Sequence, residues 1–297
     1  MRLTLLLLLA ASGLLAGCAD APPPPPDGPM ATAPTADDSS VGLGDAPAPT
    51  LASADLSSPA APPPPDGFSR LADVAPGIAQ EMRYTTPYNF VGAPIDGYVA
   101  PSCLLATVAA EALARVADDL AADGLGLKVY DCYRPQTAVN HFVRWARGTD
   151  DTMKPAFYPT EPRGLLFRRG YIASRSGHSR GATVDLTLVR LPAAASILST
   201  NDYPDPADGP LPRCDRPARG GEGGRLDERD LDMGTAWDCL DWRSATASSG
   251  VSREARENRR RLVRAMARHG FRNYDQEWWH FTYRPEPFRT HFDFPVE

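Results

Sequence analysis

A histidine and an aspartate seven positions apart make a demand that few folds can meet. They stand in Ser176-Gly177-His178-Ser179-Arg180-Gly181-Ala182-Thr183-Val184-Asp185. A second stretch, Glu277-Trp278-Trp279-His280, lies far down the chain. Together they offer His, Asp and His, the nitrogen and oxygen donors that hold a catalytic zinc, with a spare carboxylate just before the last of them. One zinc takes its donors at about 2 Å, so the three heads must converge. On one straight strand His178 and Asp185 would point to opposite faces, and on one helix they would sit two turns apart. A bend at His178, allowed by Gly177 and Gly181, that folds back onto a strand carrying Asp185 meets the demand.

A hydrolytic zinc site needs three protein ligands, an open fourth position and a carboxylate beside the attacking water. Glu277 is suited to that last part, and Trp278 and Trp279 are expected in the core and the pocket wall. His141, His269 and His291 stand in expected helices or the tail with no paired carboxylate motif, and are read as structural or exposed.

The amino terminus reads separately. Arg2, an apolar run from Leu3 to Leu15 and then Ala16-Gly17-Cys18 form a segment too short for a good membrane span. It resembles a bacterial lipoprotein signal, with residues 1–17 removed and Cys18 lipidated. Residues 18–67 follow as a linker that has no aromatic side chain and no Lys or Arg. Such a composition cannot bury enough apolar surface to offset its ordering entropy, so a disordered tether is expected, with a reach on the order of 40 Å. The protein is therefore expected to be exported, periplasmic or at the cell surface, and to touch a membrane only through a lipid anchor. Setting aside Arg2 and the seven linker aspartates, the net charge of −6 reduces to near zero for residues 68–297. No basic field is left to attract nucleic acid.

Residues 68–297 are the size of one domain. Leu104 to Leu120 shows helical spacing, Leu125 to Asp131 reads as a buried strand, and Gln136 to Arg147 is helical again. Tyr171 to Ala173 and Thr183 to Val189 are strand candidates, and Ser252 to His269 is a charged helix stopped by Gly270. Glu277 to Tyr283 is aromatic and β-prone, while the Pro-, Gly- and Asp-rich run from Leu191 to Asp230 reads as a long surface loop or insertion. This alternation predicts an α+β domain. Cys103, Cys132, Cys214 and Cys239 are even in number and expected in an oxidising compartment, which favours disulfides. Sequence order suggests Cys103 with Cys132 and Cys214 with Cys239, although four cysteines allow three pairings. The lack of any CxxC spacing argues against a second zinc site.

Several motifs resemble one family in order and spacing. They are Tyr84-x-x-x-Tyr88-Asn89-Phe90-Val91-Gly92, Asp131-Cys132-Tyr133-Arg134-Pro135, the His178 stretch, Met233-Gly234, Glu277-Trp278-Trp279-His280-Phe281 and Asp293-Phe294-Pro295. The chain is similar over nearly all of residues 70–297 to the zinc D-alanyl-D-alanine dipeptidases, within a wider clan of cell-wall metallopeptidases. The resemblance implies a central, mainly antiparallel sheet flanked by helices and one zinc per chain on His178, Asp185 and His280. It also implies Glu277 as general base and Arg134 as the stabiliser of the tetrahedral intermediate. Tyr84, Ser176 and Asp238 fall on positions that contact the dipeptide, with Asp238, or alternatively Asp232, as partner of its ammonium. Cys132, where relatives often carry Gly, and the longer 191–230 segment depart from the pattern. The same metal site would also serve a carboxypeptidase or endopeptidase that trims peptidoglycan stems. A non-catalytic, zinc-stabilised lipoprotein that docks on the cell wall is a third reading, and Glu277 argues against it, since a structural zinc has no use for a base.

Overall fold

The computed structural model describes residues 64–217 and 224–297, which belong to one compact unit. The signal segment, Cys18 and all of the linker before Pro64 lie outside the described residues. Among those described, no helix is long and apolar enough to cross a membrane.

Two short strands open the fold: β1 (Phe68–Arg70), followed by α1 (Leu71–Val74), and β2 (Ala79–Gln80). Next come β3 (Leu104–Ala106), α2 (Thr107–Ala121), β4 (Leu125–Asp131), α3 (Gln136–Trp145) and α4 (Lys154–Phe157). After an irregular stretch come β5 (Thr183–Arg190), α5 (Arg253–Arg268), β6 (Phe271–Asn273) and β7 (His280–Tyr283). The sheet runs β2-β4-β5-β7-β6, antiparallel except for the β2–β4 pair, and β1 pairs with β3 on its own. This is the α+β architecture expected, with α2 and α5 packed on the sheet and on each other.

The physical causes are local. In α2, Leu113, Val116 and Leu120 fall on one buried face, and the chain turns out at Gly124, whose φ of +69° suits glycine. Ser252 caps α5, its Oγ accepting the Ala255 amide at 2.9 Å. Arg259 of that helix is buried because its guanidinium donates to the Met233, Arg243 and Ala245 carbonyls at 2.7–2.9 Å. All of β4 and all of β5 but Arg190 is buried, so both faces of the sheet centre are covered and its polar side chains must find partners.

Four expectations are corrected. The helix begins at Thr107, not Leu104, because Leu104–Ala106 forms a ladder with Phe68–Arg70. Tyr171–Ala173 is not a strand: Gly170 turns the chain at φ +83° and the segment has no ladder partner. The ladder of β7 starts at His280, and Glu277–Trp279 form the turn before it. Finally, the 191–230 run is not a surface loop throughout, since Leu211, Cys214, Asp215, Arg225 and Glu228 are buried. Glu228 is drawn in to compensate buried cations elsewhere: its carboxylate Oε1 accepts from Arg83 Nη1 at 2.5 Å and its backbone carbonyl from Lys128 Nζ at 2.6 Å. Both expected disulfides form, Cys103–Cys132 and Cys214–Cys239.

Candidate metal centre and its cavity

Strand register does most of the assembly. Asp185 sits opposite His280 in the β5–β7 ladder and opposite Asp131 in the β4–β5 ladder, after a bulge between Val129 and Asp131. Three neighbouring strands thus present their polar side chains on one rung. His178 enters from a 3-10 turn, His178–Arg180, closed by Gly181 at φ +75°. A Cβ at Gly181 would also lie 2.3 Å from the Phe68 ring, so the bend requires glycine on two counts.

The ligand atoms of His178, Asp185 and His280 all lie within 4.8 Å of one another. His178 Nε2 and His280 Nδ1 stand 3.3 and 3.1 Å from Asp185 Oδ1 and 3.3 Å from each other. His178 Nδ1 donates to the Cys132 carbonyl at 2.7 Å, which leaves the lone pair on Nε2 facing the other two donors. Asp185 Oδ1 is buried with no hydrogen-bond partner. An orphaned carboxylate oxygen between two imidazole nitrogens fits a divalent metal, and the set of two nitrogens and one oxygen suits zinc-type coordination. Burial alone would raise the Asp185 carboxyl, but the His178 and His280 rings outweigh it and hold it well below the usual carboxylate range.

Glu277 Oε2 lies 3.5 Å from His280 Nδ1. Burial, and then the Asp185 and Asp238 charges, push its carboxyl well above the ordinary range. Asn273 fixes the turn that carries it, its Nδ2 donating to the Glu277 and His280 carbonyls at 3.0 Å each. Arg134 follows β4; its Nε and Nη2 both donate to Asp131 Oδ2, at 2.9 and 2.7 Å, and Nη2 is 3.7 Å from Asp185 Oδ2. Tyr84 donates its hydroxyl to Asp238 Oδ2 at 2.9 Å. Asp238 has a left-handed backbone, φ +61°, a conformation costly for a residue with a Cβ. Burial and the Asp185 charge push its carboxyl up to about 7.

Glu277, His280, Asp185, Arg134, Tyr84, Asp238 and Ser176 line one cavity of about 280 Å³, walled further by Phe90, Phe142, Tyr171 and Tyr274. That size is at the bottom of the range for small-molecule pockets. Of the expected metal, catalytic and substrate residues, all line this cavity except His178, which sits just behind it, buried at the metal cluster. Asp232 is elsewhere, accepting from Arg225 Nη2 at 2.8 Å and the Gly234 amide at 2.9 Å, so Asp238 alone faces the cavity. Trp278 and Trp279 are core and not pocket wall: both are buried, and Trp278 Nε1 donates to Thr235 Oγ1 at 2.9 Å. His141, His269 and His291 lie by Asp96, by Asp119 and between Arg175 and Arg180. Asp131, Tyr98, whose hydroxyl donates to Asp131 Oδ1 at 2.6 Å, and Asn273 carry positioning roles that the sequence reading missed. The available signal was the placement of Asp131 three residues before Arg134 at the end of an apolar strand.

Convergent metal donors beside a buried carboxylate, in a small cavity over the central strands of a mainly antiparallel sheet, define a centre of the metallopeptidase type. The chain matches the Peptidase_M15 family model, described as D-ala-D-ala dipeptidase, over residues 65–197 and 225–297, and it belongs to that family. The gap in the match falls within the long 191–230 segment. Its relatives include the D-alanyl-D-alanine dipeptidases of Enterococcus faecium, 35% identical over 78% of this chain and 98% of the relative. That of Streptomyces coelicolor is 36% identical over 77% and 98%, and that of Enterococcus faecalis 34% over 78% and 98%.

Proposed function

We propose that this enzyme is a zinc dipeptidase that hydrolyses D-Ala-D-Ala to two D-alanines, exported behind residues 1–17 and tethered to a membrane through Cys18 and the 18–67 linker. One observation carries the catalytic part of this reading: the donors of His178, Asp185 and His280 lie within 4.8 Å of one another at the wall of a cavity of about 280 Å³ that Asp185, His280 and Glu277 line. The small volume favours a free dipeptide over a peptidoglycan stem, and the relatives' names point to the same substrate.

His178, Asp185 and His280 would hold the zinc, which when bound would supply Lewis acidity and lower the pKa of water at the site towards about 7. Glu277 takes the proton of the attacking water at Oε2. It then passes that proton to the leaving amine. Arg134, aimed by Asp131, donates to the oxyanion as the carbonyl carbon becomes tetrahedral. Asp238 accepts the ammonium of the dipeptide, with Tyr84 orienting its carboxylate, and Ser176 lies at the cavity edge as a further substrate contact.

An alanine-release assay on D-Ala-D-Ala, run with and without chelator and beside a pentapeptide stem, tests the reading. Chelator-sensitive release from the dipeptide alone is expected. Release from the pentapeptide instead would make the protein a stem peptidase, and tight binding of muropeptides with no release would make it a binding lipoprotein.

A further inference from the structure

Each disulfide ends next to residues of the site: the Cys132 carbonyl accepts from His178 Nδ1 two residues before Arg134, and Cys239 directly follows Asp238. We infer that they are separate positioning devices: Cys103–Cys132 sets the metal ligand His178 and Arg134, and Cys214–Cys239 sets Asp238. The inference rests on the roles proposed above.

Cys132 is the first residue past β4, and its carbonyl is the acceptor that orients His178. Arg134 stands two residues further on. Beyond the ladder, this strap is held through its backbone by the Tyr133 amide to the Leu104 carbonyl, 2.8 Å, and by a long Arg134 amide contact to the His178 carbonyl, 3.4 Å. The disulfide ties it to Cys103, itself fixed by the Leu71 amide on its carbonyl at 2.9 Å and by its own amide on Gln80 Oε1 at 3.0 Å. Removing the bridge frees the acceptor of a metal ligand, and losing such partners typically weakens metal binding about 10- to 100-fold.

Cys239 directly follows Asp238, within residues 231–241, which form neither helix nor strand. Asp238 keeps its left-handed backbone only because its surroundings impose it. The bridge to Cys214, with the Ala236 amide on the Cys214 carbonyl at 3.0 Å and the Cys214 amide on the Pro155 carbonyl at 3.2 Å, clamps this loop to a second element. The two bridges span 29 and 25 residues, so loop-closure entropy gives them nearly equal effects on global stability. A purely stabilising role therefore predicts the same outcome for both, and positioning predicts different ones.

The test compares the wild-type zinc enzyme with Cys103→Val/Cys132→Ala and Cys214→Ala/Cys239→Val, which keep the buried volume apolar. Zinc affinity is measured by chelator competition, dipeptide affinity by calorimetry and kcat and KM by alanine release, at a temperature where circular dichroism shows all three folded. For the first pair, zinc affinity falls about 10-fold or more and kcat with it, while KM stays within about twofold. For the second, KM and the dipeptide Kd rise about 10-fold while zinc affinity holds. Equal loss in every parameter, or no loss in any, overturns the inference. A pair that unfolds is measured in trimethylamine oxide, which strengthens the fold without touching the site. Wild-type protein that takes up zinc but binds no D-Ala-D-Ala overturns the Asp238 half together with the proposed substrate, and the zinc affinities still decide the His178 half.

Discussion

Two groups of buried charge lie on the same sheet, and only one of them is closed. Around Arg83, Glu81 Oε1 accepts from the guanidinium, Glu81 Oε2 from Lys128 Nζ and the Leu198 amide, and Glu228 Oε1 and Oε2 from Arg83 and the Trp237 amide. Every carboxylate oxygen of Glu81 and Glu228 has a donor. At the metal centre Asp185 Oδ1 has none, the Glu277 and Asp238 carboxyls are driven towards their neutral forms, and a cavity opens beside them. Burial of charge alone does not separate structure from function; an unmet acceptor among convergent lone pairs does.

The sharpest way to break this contrast is to neutralise one carboxylate in each group. Glu277→Gln should lower kcat by about 10³-fold with zinc content unchanged, and in metal-free protein it should raise stability above neutral pH by about 1 kcal/mol, since it removes an uncompensated charge. Turnover, elemental analysis and urea unfolding read the three effects, and a destabilised variant would contradict the view that the Glu277 charge is uncompensated in the metal-free site. Glu228→Gln should do the reverse, costing about 3 kcal/mol of stability because Arg83 loses a partner, with zinc affinity preserved. Loss of zinc in that variant would mean that the two groups act as one.

Arg134→Ala should lose about 3 kcal/mol of transition-state stabilisation in kcat/KM at full zinc occupancy. Normal turnover would remove Arg134 from the reaction. The smallest effect concerns Asp238, whose folded pKa of about 7 lies above the ordinary carboxylate value near 3.9. A raised carboxyl binds more protons folded than unfolded, so its contribution is fully present below about pH 4 and is lost as the pH rises through about 7. In metal-free protein Asp238→Asn should flatten that slope by about 1–2 kcal/mol between about pH 4 and 7. An unchanged pH profile of unfolding would show that Asp238 is not desolvated as described.

The parts of this architecture legible in the sequence are those with a local signature. Leu125–Asp131 and Thr183–Val189 announce themselves as apolar runs with few helix signals, and Ser252 and Gly270 bracket α5. His178, Asp185, Glu277 and His280 stood out because their chemistry needs convergence. What was not legible depends on pairing across long separations. Leu104–Ala106 is as apolar as the helix it precedes, so only its partner β1 makes it a strand. Arg83 and Glu228 are 145 residues apart, and nothing near Glu228 marks it as buried. Asp131 and Asn273 become positioning groups only once the register of β4, β5 and β7 is fixed.

That register also decides where the chain is free to change. Asp185 and His280 find each other through backbone ladders, so the long excursion from the end of β5 to the start of α5 can grow or shrink without disturbing the donors, as long as its buried anchors are kept. A single residue inserted between His280 and Phe281 would instead turn the imidazole to the other face of the sheet. Length variation among descendants of this sequence should therefore collect in the excursion and stop abruptly at the ladder.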